Sequence, residues 1–160
     1  MTKYHMRRNE KEITDGNLIN TIIREGKYIT ISMCRESEPY IVTLSYGYDS
    51  DKNCLYFHCA NEGLKLKFIK TNPLVCATII KDYGYKMNEC DHAYHSIVIR
   101  GKLIILDNLE EKIHGFGVLI SQLEENPELI KKKHLDDKNS YINSFMLRLD
   151  IEEISGKNNN

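Results

Sequence analysis

Hydrophobic residues in this chain change their spacing several times, and the changes mark its elements. Leu18, Ile19, Ile22 and Ile23 fall on one helical stripe behind Asp15. Asp15 can cap a helix over 16–25, and Gly26 is a natural stop. The period then shortens. YITISMC (28–34) and YIVTLSYGY (40–48) read as strands joined by the polar turn RESEP, and CLYFHCA (54–60) follows the turn DSDKN as a third. Asn61 is expected to cap a short helix with Leu64, Phe68 and Ile69 inward and Lys67 and Lys70 in solvent; Asn72-Pro73 ends it. LVCATII (74–80) is a fourth strand, KDYGYKMNECDH (81–92) a loop, and YHSIVIRGKLIIL (94–106) a long strand in which Gly101 suggests a bulge. Asn108 and Glu111 resemble a capping box, followed at helical spacing by Leu109, Ile113, Phe116, Ile120 and Leu123. Asn126-Pro127 breaks that helix, 134–144 reads as a short helix or loop, and FMLRLDIEEI (145–154) is the last strand. Residues 1–12 form a polar arm, and GKNNN (156–160) a disordered tail.

About six strands with three or four helices, joined mostly by short turns, imply a mainly β fold. A small antiparallel barrel or strongly coiled sheet removes its own edges. The 160 residues contain no linker or internal repeat, so one domain over 1–160 is expected. With 41% hydrophobic and 28% charged residues the chain reads as globular. Its 22 basic and 23 acidic residues give a charge of −1, which argues against a nucleic-acid surface. No apolar run reaches the length of a membrane span, and MTKYHMRRNEKEITDG lacks the apolar core of a signal peptide, so a cytoplasmic location is expected. The odd number of cysteines (Cys34, Cys54, Cys59, Cys76 and Cys90) fits free thiols in a reducing compartment.

Three stretches carry candidate chemistry. In HCANEGLKLKF a strand meets a helix, and Lys65 lies about one turn into that helix. Helix N-termini present unpaired N–H groups and partial positive charge, so the stretch suits a phosphate, and Gly63 lets a ligand approach the backbone. The same residues also describe a solvated lysine behind a routine cap, and the pattern alone leaves both open. In YIVTLSYGY, Val42, Leu44 and Tyr46 share one face, while Ile41, Thr43, Ser45 and Gly47 share the other. Two hydroxyls beside a glycine make either a ligand edge or a plain solvent face. Cys90, His92 and His95 are close in sequence, but no Cys-x₂-Cys or His-x₃-His pair is complete, and no metal is expected. Phosphate-binding loops, dinucleotide fingerprints, nucleophile elbows and zinc-protease motifs are absent.

The order MRRNEKEITD, PYIVTLSYGYD, LYFHCANEGLKLKFIKTNPLVCATI and YHSIVIRGKLIIL resembles the pyridoxamine-phosphate-oxidase-like split-barrel flavoproteins, nearest their nitroimidazole-reductase-like branch. The resemblance runs from about Met6 to the helix after Asp107, about two-thirds of the chain. Its most specific part is the pairing of the PY-x-V-x-L-x-Y-G-Y strand with the YFH-x-A-x-x-G-x-K turn. CDHAYHSIVIRG also resembles the family's Cys-Asp strand, but His92 stands where an aromatic often follows.

The resemblance implies a six-stranded antiparallel Greek-key split barrel that forms a homodimer and holds FMN in grooves between subunits. It assigns the FMN phosphate to the Gly63–Lys65 turn. The strand edge of Val42, Thr43, Leu44, Ser45 and Tyr46, together with His58 and Ala60, would meet the flavin ring and ribityl chain, with Ser96 contributing nearby. His58 is the one catalytic candidate, as proton donor or as hydrogen-bond partner. The implied activity passes electrons from a nicotinamide donor, NAD(P)H, to a small acceptor such as a nitroaromatic or quinone. A non-catalytic flavin or haem carrier is the alternative on this fold, and deazaflavin or pyridoxal phosphate in place of FMN is a third.

Overall fold

The computed structural model describes residues 6–160; residues 1–5 of the expected arm lie outside the described residues. The rest of that arm is ordered. A 3₁₀ turn at Asn9–Lys11 leads into β1 (Glu12–Ile13), and α1 (Gly16–Glu25) follows, capped by the Asp15 side chain, which accepts from the Asn17 N–H. Next come β2 (Tyr28–Arg35), β3 (Glu38–Ser45), β4 (Gly47–Asp49), β5 (Cys54–Cys59) and α2 (Leu64–Thr71). A long hairpin, β6 (Leu74–Lys86) and β7 (Asp91–Ile105), precedes α3 (Leu109–Leu123), α4 (Pro127–His134), α5 (Lys138–Ile142) and β8 (Phe145–Asn158).

The strands form one antiparallel sheet in the order β3-β2-β6-β7-β8-β5-β4, with β1 added along β8. No ladder closes the two ends, but β3 packs against β5, so the sheet curls into a barrel with a split. Ile29, Ile31, Leu55, Phe57, Ile97, Ile99, Leu147 and Leu149 fill it, and Ile22, Ile23 and Phe68 come in from α1 and α2. A second, smaller core lies outside the barrel wall. There Cys54, Tyr56 and Met146 meet Phe116 and Leu119 of α3. Alternation along β5 explains both cores, since Leu55 and Phe57 point into the barrel while Cys54, Tyr56 and His58 point toward the helices.

Several expectations are corrected. The described residues contain eight strands, not six, because β1 forms a two-residue pairing and the expected strand 40–48 breaks at Tyr46. The break has a tertiary cause. Tyr46 is fully buried and its hydroxyl donates to the Ile23 carbonyl at 2.6 Å, while Gly47 packs against the backbone of α3. The expected loop 81–92 is the far end of the β6–β7 hairpin. The tail 156–160 is not frayed. Asn159 is buried, its N–H donates to the Tyr94 carbonyl at 2.9 Å, and its side-chain amide donates to Asp91 Oδ1 at 2.9 Å. A polar sequence is ordered here because its polar groups find partners on β7. Gly101 does sit at a bulge, in the register shift between β7 and β8.

One polar pair, buried on its Asp49 side and exposed at His114, ties β4 to α3. Asp49 accepts from His114 Nε2 at 2.6 Å and from the N–H groups of Asp51 and Lys52 at 3.0 and 3.1 Å. Burial pushes the Asp49 carboxyl up, but these hydrogen bonds outweigh it and hold the group below the ordinary aspartate value. A depressed folded value stabilises the fold above the unfolded pKa of about 4 and is lost as pH falls through the folded one. Asp49→Asn is therefore expected to flatten the acid limb of a urea-stability profile below about pH 4. An unchanged acid limb would show that the pair contributes nothing.

Candidate functional site

The strand-to-helix junction after β5 is where the structure gathers its candidate chemistry. Gly63, not Asn61, precedes α2, and its φ of +135° is a conformation that glycine adopts freely. No side chain caps the helix, and its first turn contains no acidic residue, so its leading N–H groups have no side-chain acceptor. Lys65 is half-buried, and its Nζ lies 4.0 Å from where a Cβ on Gly63 would sit. The ammonium thus folds back over the helix start. Cationic, uncapped and glycine-lined, this end of α2 suits a phosphate.

Leu64 does not face inward as expected. It is exposed, and Leu66 takes the core position with Phe68 and Ile69. The shift follows from the later start of the helix. Lys67 is exposed and lines, with Asn61, Glu62, Gly63 and Lys70, an open cavity of about 390 Å³ at the same junction, which Lys65 does not line. The two lysines two residues apart therefore occupy different surroundings.

His58 is the last outward-facing residue of β5 before this junction. Its ring is 5.4 Å from that of Phe116, and desolvation by its surroundings lowers its pKa, favouring the neutral imidazole. It helps to wall a cavity of about 330 Å³ lined mainly by apolar residues of α3, Ile130 and Leu135, with Glu124, His134 and Ser144 as its polar part. The cavity owes its existence to α4, for which the sequence pattern predicts no element, and to the segment after it. Ala60 lies exposed in the turn between β5 and α2.

On β3 the two faces divide as expected as far as Ser45, but Gly47, expected on the face of Thr43 and Ser45, belongs to β4 and is buried against α3. Thr43 and Ser45 are exposed, and Thr43 Oγ1 lies 3.0 Å from Thr30 Oγ1 across the ladder. Val42 and Leu44 pack on the barrel core, and Tyr46 lies within it. Burial pushes the Tyr46 phenol far up, so it stays neutral. These three side chains face away from the outer surface, and only their backbone can meet a ligand there. β3 is an edge strand, so half of its backbone groups point away from β2.

Ser96 is not brought to this cluster. It pairs with Ile80 and Lys157 in the middle of the sheet, three strands from β3 and thus about 14 Å across. It does share the outer face with Thr43 and Ser45. Cys90, His92 and His95 are divided along the β6–β7 hairpin: His92 Nε2 is 2.7 Å from Asp82 Oδ1, and His95 Nδ1 is 3.1 Å from the Tyr83 hydroxyl. Among the described residues no group of three or more His, Cys, Asp or Glu side chains is placed to hold a metal ion. No helix among them is long and apolar enough to cross a membrane.

Comparison with known proteins gives one family and many structures. The family described as pyridoxamine 5'-phosphate oxidase matches residues 17–158. No curated protein matches the chain. Among solved structures, a candidate 5-nitroimidazole antibiotic resistance protein from Bacteroides thetaiotaomicron is similar at 21% identity, covering 96% of this chain and 95% of that one, with a TM-score of 0.74. A flavocytochrome from Azotobacter vinelandii is similar at 13% identity over 98% of this chain and 73% of that one, with a TM-score of 0.82. An FAD-binding protein from Mesorhizobium loti is similar at 18% identity over 91% of this chain and 96% of that one, with a TM-score of 0.63. At these identities the likeness shows the fold, a mainly β split barrel.

Proposed function

The chain belongs to the pyridoxamine 5'-phosphate oxidase family, and from that premise we propose that it is an FMN-binding oxidoreductase that passes electrons from a nicotinamide donor to a small nitroaromatic or quinone acceptor. The observation that carries this reading is the uncapped start of α2 with the Lys65 ammonium folded over it. An aromatic cofactor ending in a phosphate would put that phosphate in the cup, and the exposed Thr43–Ser45 edge is our candidate contact for the rest of it. Similar structures described as a flavocytochrome and an FAD-binding protein support a flavin, since both descriptions put flavin proteins on this fold. A flavin would supply the electron transfer itself, and the chain's own residues bind and orient it. His58, whose neutral form is favoured, is available as a hydrogen-bond partner, and the largely apolar cavity beside it fits a flat acceptor. All five cysteines are free thiols, which fits a reducing cytoplasm.

A second copy of the chain completes the proposal. Across β3, β2, β6 and β7 the outer face has a row Thr43–Thr30–Thr78–Val98 and a row Ile41–Ser32–Cys76–Arg100. Tyr28, Ile41 and Ile80 are 64%, 65% and 61% exposed there. On β2, β3 and β6 these rows carry no charge, in a chain with 28% charged residues. An outer face uncharged across three strands suits a two-fold pairing. Such a pairing would also let Ser96 of one copy approach the Thr43 edge of the other.

The protein is expected to purify with a flavin spectrum, or to acquire one on adding FMN, at about one per chain, and to run at twice its 18.7 kDa mass in light scattering. Anaerobic NAD(P)H should bleach the spectrum, and a nitroaromatic or quinone should restore it. Flavin binding without bleaching by either nucleotide would make it a carrier. No FMN quenching at all would remove the flavin reading, and an FMN-loaded monomer would remove the dimer.

A further inference from the structure

A larger cavity, of about 630 Å³, opens away from the junction just described, between α1, β4, α3 and α4. Its walls bring together Arg24 of α1, His114 of α3 and Lys131 of α4, and no carboxylate lines it. The nearby acids are engaged. Asp49 is held by His114 and two backbone N–H groups, and Glu128 pairs with Lys131 at 2.8 Å. Arg24 has no carboxylate partner among the described residues. Its guanidinium meets the Ser50 hydroxyl at 2.5 Å and lies 5.6 Å from the centre of the Tyr48 ring, both neutral groups.

The floor of the cavity supplies a second, independent observation. Helix α3 contains two interior glycines, although glycine is among the poorest helix formers. Gly115 has a packing reason, because a Cβ there would lie 2.7 Å from the Tyr56 ring and 3.1 Å from Met146 Sδ. Gly117 has none: nothing lies within 4 Å of its would-be Cβ, and that open space belongs to the cavity. Its missing side chain leaves a flat backbone shelf beside Val118, below the cationic wall.

We propose that this cavity is a second ligand site, for a small phosphate ester whose flat ring is smaller than an isoalloxazine. The phosphate takes the Arg24 side, where a guanidinium with no carboxylate partner among the described residues matches it, and Lys131, already paired with Glu128, stands beside it. The ring lies on the Gly117 shelf, against Val118 and the edge of Tyr48. The site is separate from the α2 cup and does not depend on the flavin reading.

The test is calorimetric titration with 5'-AMP and with adenosine, each with and without FMN. AMP is expected to bind, adenosine at least about tenfold more weakly, and FMN to leave AMP affinity unchanged. Arg24→Gln should weaken AMP about tenfold and spare adenosine. Gly117→Leu should abolish both while leaving the melting temperature equal or higher, since its side chain enters open space on a helix. The proposal is overturned if AMP fails to bind at millimolar concentration, or if FMN competes with it, which would make the cavity a flavin phosphate site. It also falls if Gly117→Leu, folded as judged by its melting curve, still binds AMP.

Discussion

Lys65→Ala is expected to weaken FMN binding by about 10- to 100-fold and to leave riboflavin binding nearly unchanged. Under the proposed function the Lys65 ammonium adds a charge-assisted contact to a phosphate that the first N–H groups of α2 already hold. A hydrogen bond to a charged group is worth about 1.5–3 kcal/mol, and each 1.4 kcal/mol is about tenfold in affinity. Riboflavin lacks the phosphate and so lacks the contact. Lys67 is the internal control, because it lies on the same helix with the same charge but is exposed where Lys65 is half-buried. Lys67→Ala should change neither ligand by more than about twofold, as expected of a solvated charge. Fluorescence quenching of the two flavins by the two variants gives four numbers. Equal losses for FMN and riboflavin at Lys65→Ala would mean that the residue supports the fold or the ring, not the phosphate.

The contrast between the two lysines also shows what the sequence could and could not convey. The junction was legible because glycine, lysine and a change of period coincide within eight residues. The cap was not, since Asn61 has the right chemistry and only the chain path reveals that α2 starts after Gly63. Elements with one face on the core, such as α1 and β2, announced themselves by spacing. The outer end of the β6–β7 hairpin did not. There Tyr83, Tyr85 and Met87 are exposed, and the strands are joined by Asp82 to His92 and Tyr83 to His95, so no buried face writes a period into the sequence. The break at Tyr46 and the Asp49–His114 pair depend on partners 23 and 65 residues away, which local pattern cannot reveal. Thr43 and Ser45 were placed correctly on the outer face by alternation alone. The separation of Ser96 from them needed the strand order, in which β2 and β6 stand between.

Strand order in turn rests on the contact between β7 and β8, and there the largest loss of stability is expected. At Gly101 the register shifts by a bulge, and the two backbones approach so closely that a Cβ would lie 1.9 Å from the Asp150 carbonyl oxygen and 3.0 Å from its carbon. No rotamer change relieves a clash with backbone. Gly101→Ala must therefore either push β8 away from β7 or remove the bulge, and removing it would turn one arm of the ladder over. Overpacking a rigid site costs about 1–3 kcal/mol, and a backbone clash belongs at or beyond the top of that range. For a domain of this size about 3 kcal/mol corresponds to a fall of about 6–12 °C in melting temperature. Gly16→Ala is the matched control, since nothing lies within 4 Å of its would-be Cβ. It stands at the first position of α1, where alanine is the better helix former. The two melting curves should part in opposite directions. A Gly101→Ala protein that melts within about 2 °C of the parent would mean that β8 can shift freely along β7, which the paired register on both sides of the bulge argues against.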